Sequence, residues 1–253
     1  MAVETHVFRC LSDNVGVLVR DPATGACASI DVPDADAVAA ALEETGWTLT
    51  DILVTHSHAD HVQGIPAIVE KTGARVVAPA KAKLDGVAQT VGEGDTVTVG
   101  DLVAEVWETP GHCADHVVFH FAGEKLLLAG DVLFPMGCGR VFGEGYDDLW
   151  HALERIAALP ADTVAHCGHD YTLANARFAL KADPDNATLQ SRVREAEEKA
   201  AAGALFGSTT VGEETATNPF IRATEPALKA SVDMPDAPAN AVFRALREWK
   251  NRG

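Results

Sequence analysis

His56-Ser57-His58-Ala59-Asp60-His61 places three imidazoles and a carboxylate directly behind Asp51-Ile52-Leu53-Val54-Thr55. The five preceding residues read as a buried strand, so the hexapeptide is a loop at a strand end. In an α/β protein such a loop can aim several side chains at one point. Imidazole together with carboxylate suits zinc, iron, manganese or nickel better than calcium or magnesium.

Outward from this loop, strand-like and helix-like segments alternate over the first 170 or so residues. Val15–Val19 and Ala26–Ile30 are short apolar runs between turn residues and predict strands. Asp34–Thr45 has apolar residues at helical spacing behind an acidic start, with Gly46 beyond it, and predicts a helix. A second helix is expected through Ile65–Lys71, stopped by Gly73. Arg75–Ala78, Thr96–Val99, Leu102–Trp107, Val117–Phe121 and Lys125–Leu128 predict further strands. Asp148–Leu159 predicts a helix and Thr163–Ala165 a last short strand. After residue 172 the pattern turns helical, with stripes at Leu173, Ala176 and Leu180 and at Leu189, Val193 and Ala196. Residues 203–240 show little periodicity, and Ala241–Lys250 predicts a closing helix. The expectation is an α/β domain over residues 1–171 and a mainly helical piece over 172–253.

Three more candidate donors each follow a predicted strand and sit beside a glycine: His112 after Thr109-Pro110-Gly111, Asp131 after Gly130, and His169 after Gly168. Glycine lets the backbone pack closely while the next side chain projects from the turn. The seven donors His56, His58, Asp60, His61, His112, Asp131 and His169 exceed what one open zinc site needs. They suit two ions sharing a bridging carboxylate, an arrangement that lowers the pKa of a shared water. His116 could hydrogen-bond a ligand or simply pack. Asp13, Asn14 and Asp31 could support the site, although turn chemistry accounts for them equally well.

Composition narrows the function classes. The net charge of −17 disfavours nucleic acid and anionic lipid as partners, so an anionic small substrate requires a local basic pocket. Such a patch exists: Val242–Gly253 carries Arg244, Arg247, Lys250 and Arg252 against the single acid Glu248. Arg247 and Lys250 are spaced to share a helix face. No run approaches the ~20 apolar residues of a membrane span. The N-terminal residues lack the pattern of a secretory signal. Cys10, Cys27, Cys113, Cys138 and Cys167 are scattered and never form Cys-x-x-Cys, as expected of reduced thiols in a cytoplasmic protein. A monomer is the expected assembly.

The ordered set His56-x-His58-x-Asp60-His61, Thr109-Pro110-Gly111-His112, Gly130-Asp131 and Gly168-His169 resembles the metallo-β-lactamase superfamily. Within it the chain looks like the glyoxalase II (hydroxyacylglutathione hydrolase) family. Four stretches narrow the match: Gly130–Phe134, Gly137-Cys138-Gly139-Arg140, Gly168–Thr172 and Thr217–Arg222. The resemblance implies an αβ/βα metallo-β-lactamase sandwich with a small helical C-terminal domain that binds glutathione. It implies that His56, His58 and His112 hold one divalent ion and Asp60, His61 and His169 another, with Asp131 bridging. Zinc is the first candidate, with iron or manganese as alternatives. Glutathione contacts map to Arg140, Phe142, Tyr171, Arg247 and Lys250; Phe142 stands where related chains carry tyrosine, so one hydroxyl is missing.

The implied reaction is hydrolysis of S-D-lactoylglutathione and related S-2-hydroxyacylglutathiones, the second step of methylglyoxal detoxification. A hydroxide held between the ions, oriented by Asp60 and Asp131, would attack the thioester carbonyl. Three rivals make different demands. A glutathione persulfide dioxygenase would use one iron and consume oxygen. Another hydrolase of the fold, such as a β-lactamase or lactonase, has no use for the basic terminal helix. A silent metal-binding scaffold would hold metal without turnover.

Overall fold

A computed structural model describes residues 3–253. The chain forms two compact units, the first from residues up to Thr109, Ala114–Gly130 and His166–His169, the second from Pro110–Cys113, Asp131–Ala165 and Asp170–Gly253.

The first unit begins with β1 (Glu4–Cys10), β2 (Asn14–Arg20), β3 (Cys27–Ile30), α1 (Ala35–Thr45), β4 (Asp51–Leu53), α2 (Ala59–Val62), α3 (Ile65–Thr72), β5 (Arg75–Pro79) and β6 (Gln89–Val91). Its six strands form one sheet in sequence order. β1, β2 and β3 are antiparallel, whereas β3 to β6 run parallel. Parallel neighbours need crossovers, and α1 and α3 provide two of them. This topology decides where the chemistry lies. The C-terminal ends of β3 and β4 and the N-terminal end of antiparallel β2 all reach the same sheet edge. Asp13-Asn14, Asp31 and the His-rich loop are therefore neighbours, although 46 residues separate Asn14 from Asp60.

The local signals for α1 hold at both ends. The Asp34 carboxylate accepts from the Asp36 and Ala37 N–H groups, and Gly46 closes the helix. Leu18, Val38, Ile52, Val54, Ile68 and Val76 belong to one buried cluster, each such side chain contributing about 1.5–3 kcal/mol of burial. β7 (Thr96–Val99), β8 (Leu102–Glu108), β9 (Val117–Phe121) and β10 (Leu126–Gly130) pair antiparallel in a second sheet. Every residue of β9 and β10 is buried, which accounts for their near-continuous apolar sequence.

The second unit holds β11 (Leu133–Phe134), β12 (Gly137–Cys138), α4 (Tyr146–Ala157) and the start of β13 (Val164–Cys167). It continues with α5 (Thr172–Ala182), α6 (Ala187–Ala201), β14 (Ser208–Thr210), α7 (Val211–Thr217), α8 (Pro226–Ser231) and α9 (Ala239–Asn251). The β11–β12 hairpin is pinned from its turn. The Met136 N–H donates to Glu214 Oε2 at 2.9 Å, Asn218 Nδ2 donates to the Gly137 carbonyl at 2.8 Å, and Asn175 Nδ2 donates to the Pro135 carbonyl at 3.0 Å. Glu214 is fully buried, yet also accepts from Arg192 at 2.6 Å, Thr209 at 2.6 Å and Asn218 at 2.8 Å.

Several elements differ from the sequence expectations. β1 is an edge strand whose polar residues hide its alternation. β6 and the β11–β12 pair are too short to show a period. The stretch 203–240 contains β14, α7 and α8. A capping box signals α7: Thr210 accepts from the Glu213 N–H while Glu213 accepts from the Thr210 N–H. The strand expected over 51–55 ends at Leu53, and the one expected at Thr163 begins at Val164.

Removing one partner of a buried ion pair strands the other charge. Glu214→Ala is therefore expected to lower the unfolding free energy by about 3 kcal/mol. Exposed Glu195→Ala on α6 should change it by less than about 0.5 kcal/mol. Urea denaturation of the two variants checks both values.

Candidate metal centre

The edge of the first sheet gathers five of the seven expected donors: His56, His58, Asp60, His61 and His169. The loop that carries four of them is fixed through its backbone. Val54 donates to the Val77 carbonyl at 2.9 Å, Val117 donates to the Thr55 carbonyl at 2.8 Å, and the Ser57 N–H donates to Asp115 Oδ2 at 3.0 Å. α2 then turns Asp60 and His61 inward, beginning from extended His58. His169 is brought in by Val15 donating to the Gly168 carbonyl at 2.8 Å and Gly168 donating to the Gly130 carbonyl at 2.9 Å. Gly130 adopts φ 49°, and a Cβ there would strike the His116 ring and the Thr55 Cβ.

The imidazoles are oriented from behind. His61 Nδ1–H donates to Asp31 Oδ2 at 2.7 Å, and His169 Nδ1–H donates to Asp13 Oδ1 at 2.9 Å. A carboxylate can only accept, so each ring keeps its proton on Nδ1 and a lone pair on Nε2. Those two Nε2 atoms face each other at 3.3 Å, with Asp60 Oδ2 3.4 Å from His169 Nε2 and 3.9 Å from His61 Nε2. Apposed lone pairs beside a carboxylate are the complement of a cation, and acceptors tying off the far nitrogen are what metal-bound imidazoles use. Asn14 Nδ2 donates to the Asp60 carbonyl at 3.1 Å and to its Oδ2 at 3.3 Å. Partial burial pulls the Asp60 carboxyl upward, but His61, the Asn14 amide and His169 outweigh it and hold it below the ordinary carboxylate range.

His56 is buried, with Nδ1 3.0 Å from the Thr55 hydroxyl and Nε2 3.0 Å from His58 Nδ1. His116 stacks on the His56 ring at a centroid distance of 4.8 Å and meets the Thr109 hydroxyl at 3.0 Å. Ligand atoms of Asp60, His61 and His169 lie within 4.8 Å of one another, as do those of Asp31, His56 and His61. The residues present fit a metal ion.

The second unit places the remaining two donors together. His112 Nδ1–H donates to the Arg140 carbonyl at 2.8 Å, which leaves its Nε2 lone pair 3.5 Å from Asp131 Oδ2. Gly111 at φ 129° packs where a Cβ would meet Leu149 and the Gly145 carbonyl, so the turn before His112 requires glycine.

His112 and Asp131 line a cavity of about 340 Å³, together with Phe134, Cys138, Arg140, Phe142, Tyr171, Ala174, Asn175, Arg247 and Lys250. All five expected substrate contacts are on this wall. Arg247, buried on α9, donates to the Cys138 carbonyl at 2.9 Å and lies 5.0 Å above the Phe220 ring. The Lys250 ammonium donates to Asn175 Oδ1. Both partners are neutral, so they do not cancel the positive charges. Burial, with Arg247 close by, lowers the Lys250 pKa to about 8 against a weaker opposing pull from Cys138. Phe142 is 59% exposed, between the Arg140 guanidinium at 5.7 Å and the His112 ring at 5.4 Å. Tyr171 packs edge-on against Phe134.

Sequence reasoning missed Asn175 and the Cys138 carbonyl, which position the two cations, and left Asp13, Asn14 and Asp31 undecided. One signal existed. Asp31 follows β3 directly and Val54-Thr55 follow β4, so pairing of these parallel strands brings the two turns side by side.

Residues 21–169 match the model of the metallo-β-lactamase superfamily, and residues 170–253 match that described as the hydroxyacylglutathione hydrolase C-terminus. The chain is 59% identical over 252 residues to a hydroxyacylglutathione hydrolase of Methylobacterium sp. (strain 4-46), covering 98% of this chain and 99% of that one. It is 60% identical to the hydroxyacylglutathione hydrolase of Methylobacterium nodulans, with the same coverage. Among solved structures, ETHE1 from Myxococcus xanthus superposes with a TM-score of 0.67 at 26% identity, covering 100% of both chains. The architecture is the metallo-β-lactamase fold with a helical C-terminal domain.

An ion bound only by the folded state stabilises it, by about 2.7 kcal/mol when free metal is 100 times its dissociation constant. Zinc added to chelator-stripped protein should accordingly raise the melting temperature. In His61→Ala that rise should shrink sharply. Scanning calorimetry of both proteins with and without zinc checks this.

Proposed function

The chain belongs to the hydroxyacylglutathione hydrolase family of the metallo-β-lactamase superfamily, and we propose that it hydrolyses S-2-hydroxyacylglutathione thioesters, S-D-lactoylglutathione among them, to glutathione and a 2-hydroxy acid. The observation that carries this reading is the cavity in which three cations, Arg140, Arg247 and Lys250, share a wall with His112 and Asp131. In a chain of net charge −17, so local a positive patch suits an anionic substrate of peptide size.

The proposed ligand sets are His56, His58 and His112 for one divalent ion and Asp60, His61 and His169 for the other, with Asp131 bridging; zinc is the first candidate, then iron or manganese. When bound, the ions supply a water of lowered pKa and positive charge for the developing oxyanion. Asp60 and Asp131 would orient that water toward the thioester carbonyl. Arg247 and Lys250 hold the glycine carboxylate of glutathione, while Arg140, Phe142 and Tyr171 contact its remaining length. Attack on the carbonyl carbon forms the new C–O bond and breaks C–S. The thiolate leaves without a general acid because a thiol's pKa is only about 8.5.

Residues 1–171 are proposed as the catalytic domain and 172–253 as the glutathione-binding one. Five free cysteines and a glutathione thioester substrate support an enzyme of the reducing cytoplasm, and a monomer is the proposed assembly. Among the described residues no helix is long and apolar enough to cross a membrane.

Steady-state assays of thioester loss test the proposal. Asp131→Ala should abolish turnover, and retention of wild-type kcat would overturn its role. A charge-assisted hydrogen bond is worth about 1.5–3 kcal/mol, so Lys250→Ala should raise KM about 10- to 100-fold with kcat little changed. The ammonium form binds the carboxylate, and the Lys250 pKa of the free protein is about 8. KM should therefore climb as pH rises through that value, and the climb should vanish in Lys250→Ala. Phe142→Tyr, which restores the missing hydroxyl, should lower KM.

A further inference from the structure

We propose that Asn175 is a positioning and specificity-determining residue: its neutral amide, braced on the β11–β12 turn, holds the Lys250 ammonium beside Arg247 so that the cavity selects thioesters ending in a free carboxylate. The inference deepens the function proposed above and rests on it, because it takes those two cations as the seat of the glutathione glycine carboxylate.

Every contact involved lies within the second unit. Asn175 is 1% exposed and stands in the first turn of α5, where its N–H donates to the Tyr171 carbonyl at 2.9 Å. Its Nδ2 donates to the Pro135 carbonyl at 3.0 Å. A carbonyl can only accept, so this bond fixes which way the amide lies. Oδ1 is thereby turned toward the Lys250 ammonium, which donates to it. The brace is itself held. Met136 adopts φ 56°, its N–H donates to buried Glu214 at 2.9 Å, and Asn218 donates to the Gly137 carbonyl at 2.8 Å. Position 137 is glycine for the same reason, since a Cβ there would strike the Asn175 amide.

Arg247 is anchored on the same hairpin, its Nη1 donating to the Cys138 carbonyl at 2.9 Å. The Pro135 and Cys138 carbonyls thus set the separation of two cations, one through Asn175 and the other directly. Both cations keep donors for a ligand. An ammonium has three N–H groups and Lys250 gives one to Asn175. The buried Arg247 Nε has no hydrogen-bond partner among the described residues. An aspartate at position 175 could hold Lys250 equally well, but it would neutralise the ammonium, and an incoming carboxylate would have to displace it. Neutrality at this position is therefore part of the function.

Two substrates separate this role from a merely structural one: S-D-lactoylglutathione, and its analogue with the glycine carboxylate converted to an amide. The ratio of their kcat/KM values reads the carboxylate contact, whereas general damage to the fold lowers both values and leaves the ratio. The wild-type protein should prefer the acid by about 100-fold or more, and Lys250→Ala should cut that preference about 10- to 100-fold. Asn175→Asp, which keeps the size and an oxygen beside Lys250, should cut it about 10-fold or more by raising KM for the acid, with kcat little changed. Asn175→Ala should cut it about 3-fold. In a protein already carrying Lys250→Ala it should cut it no further, because a residue that acts through Lys250 then has nothing to position.

An unchanged preference in natively folded Asn175→Asp overturns the inference. So does a loss in Asn175→Ala that is equally large with and without Lys250→Ala. Both outcomes leave the thioesterase reading standing. A wild-type protein that hydrolyses acid and amide equally well sinks the carboxylate reading and the inference with it, and hydrolysis of neither sinks the proposed function as a whole. Should the Asn175 variants misfold, a crystal structure of the wild-type protein decides: Lys250 Nζ on Asn175 Oδ1 upholds the inference, and Nζ hydrogen-bonded elsewhere overturns it.

Discussion

Two imidazole lone pairs facing each other at 3.3 Å, with a carboxylate oxygen beside them, are the constraint around which the first unit is organised. In water these groups would be solvated separately. Buried, they repel unless a cation or a proton lies among them. The arrangement is held because each ring is tied from behind by an acceptor that cannot give up its role: Asp31 for His61 and Asp13 for His169. In the second unit the Arg140 carbonyl does the same for His112. Polar atoms normally seek mutual satisfaction, so a fold that locks acceptors against acceptors has preorganised them for something else.

The second unit solves a different electrostatic problem. A strongly acidic chain can hold an anion only where cations are concentrated and not cancelled by nearby acids. Arg247 and Lys250 meet that condition by hydrogen-bonding to neutral oxygens, the Cys138 carbonyl and the Asn175 amide. Burial among Phe178 and Phe220 strips away competing water, and the depressed Lys250 pKa is its cost. The Thr217–Arg222 stretch, which narrowed the family resemblance, has a physical role here. Asn218 ties buried Glu214 to the hairpin, and Phe220 is the floor beneath Arg247.

Much of the fold was legible because its signals are local. Helix α1 declares itself by its Asp34 cap and following glycine, and β10 by an unbroken apolar run. The His-rich hexapeptide declares a loop by following an apolar strand. Elements that escaped have weak or absent periodicity: β1 is half polar, β6 is three residues long, and α7 is signalled only by its capping box.

Sequence by itself determined the chemistry on offer: imidazoles, carboxylates and a basic terminal helix in an otherwise acidic chain, each donor placed at a strand end. Tertiary structure alone decided which nitrogen of each ring carries the proton, because that depends on partners such as Asp31 and Asp13, 30 and 156 residues distant from the rings they hold. An aspartate in a turn looks the same whether it caps its own backbone or orients a distant histidine. Only the pairing of β3 with β4, and the return of Gly168 to Val15, distinguishes the two. Tautomers follow from hydrogen bonds across strands, and strand order is not written in any local stretch of the chain.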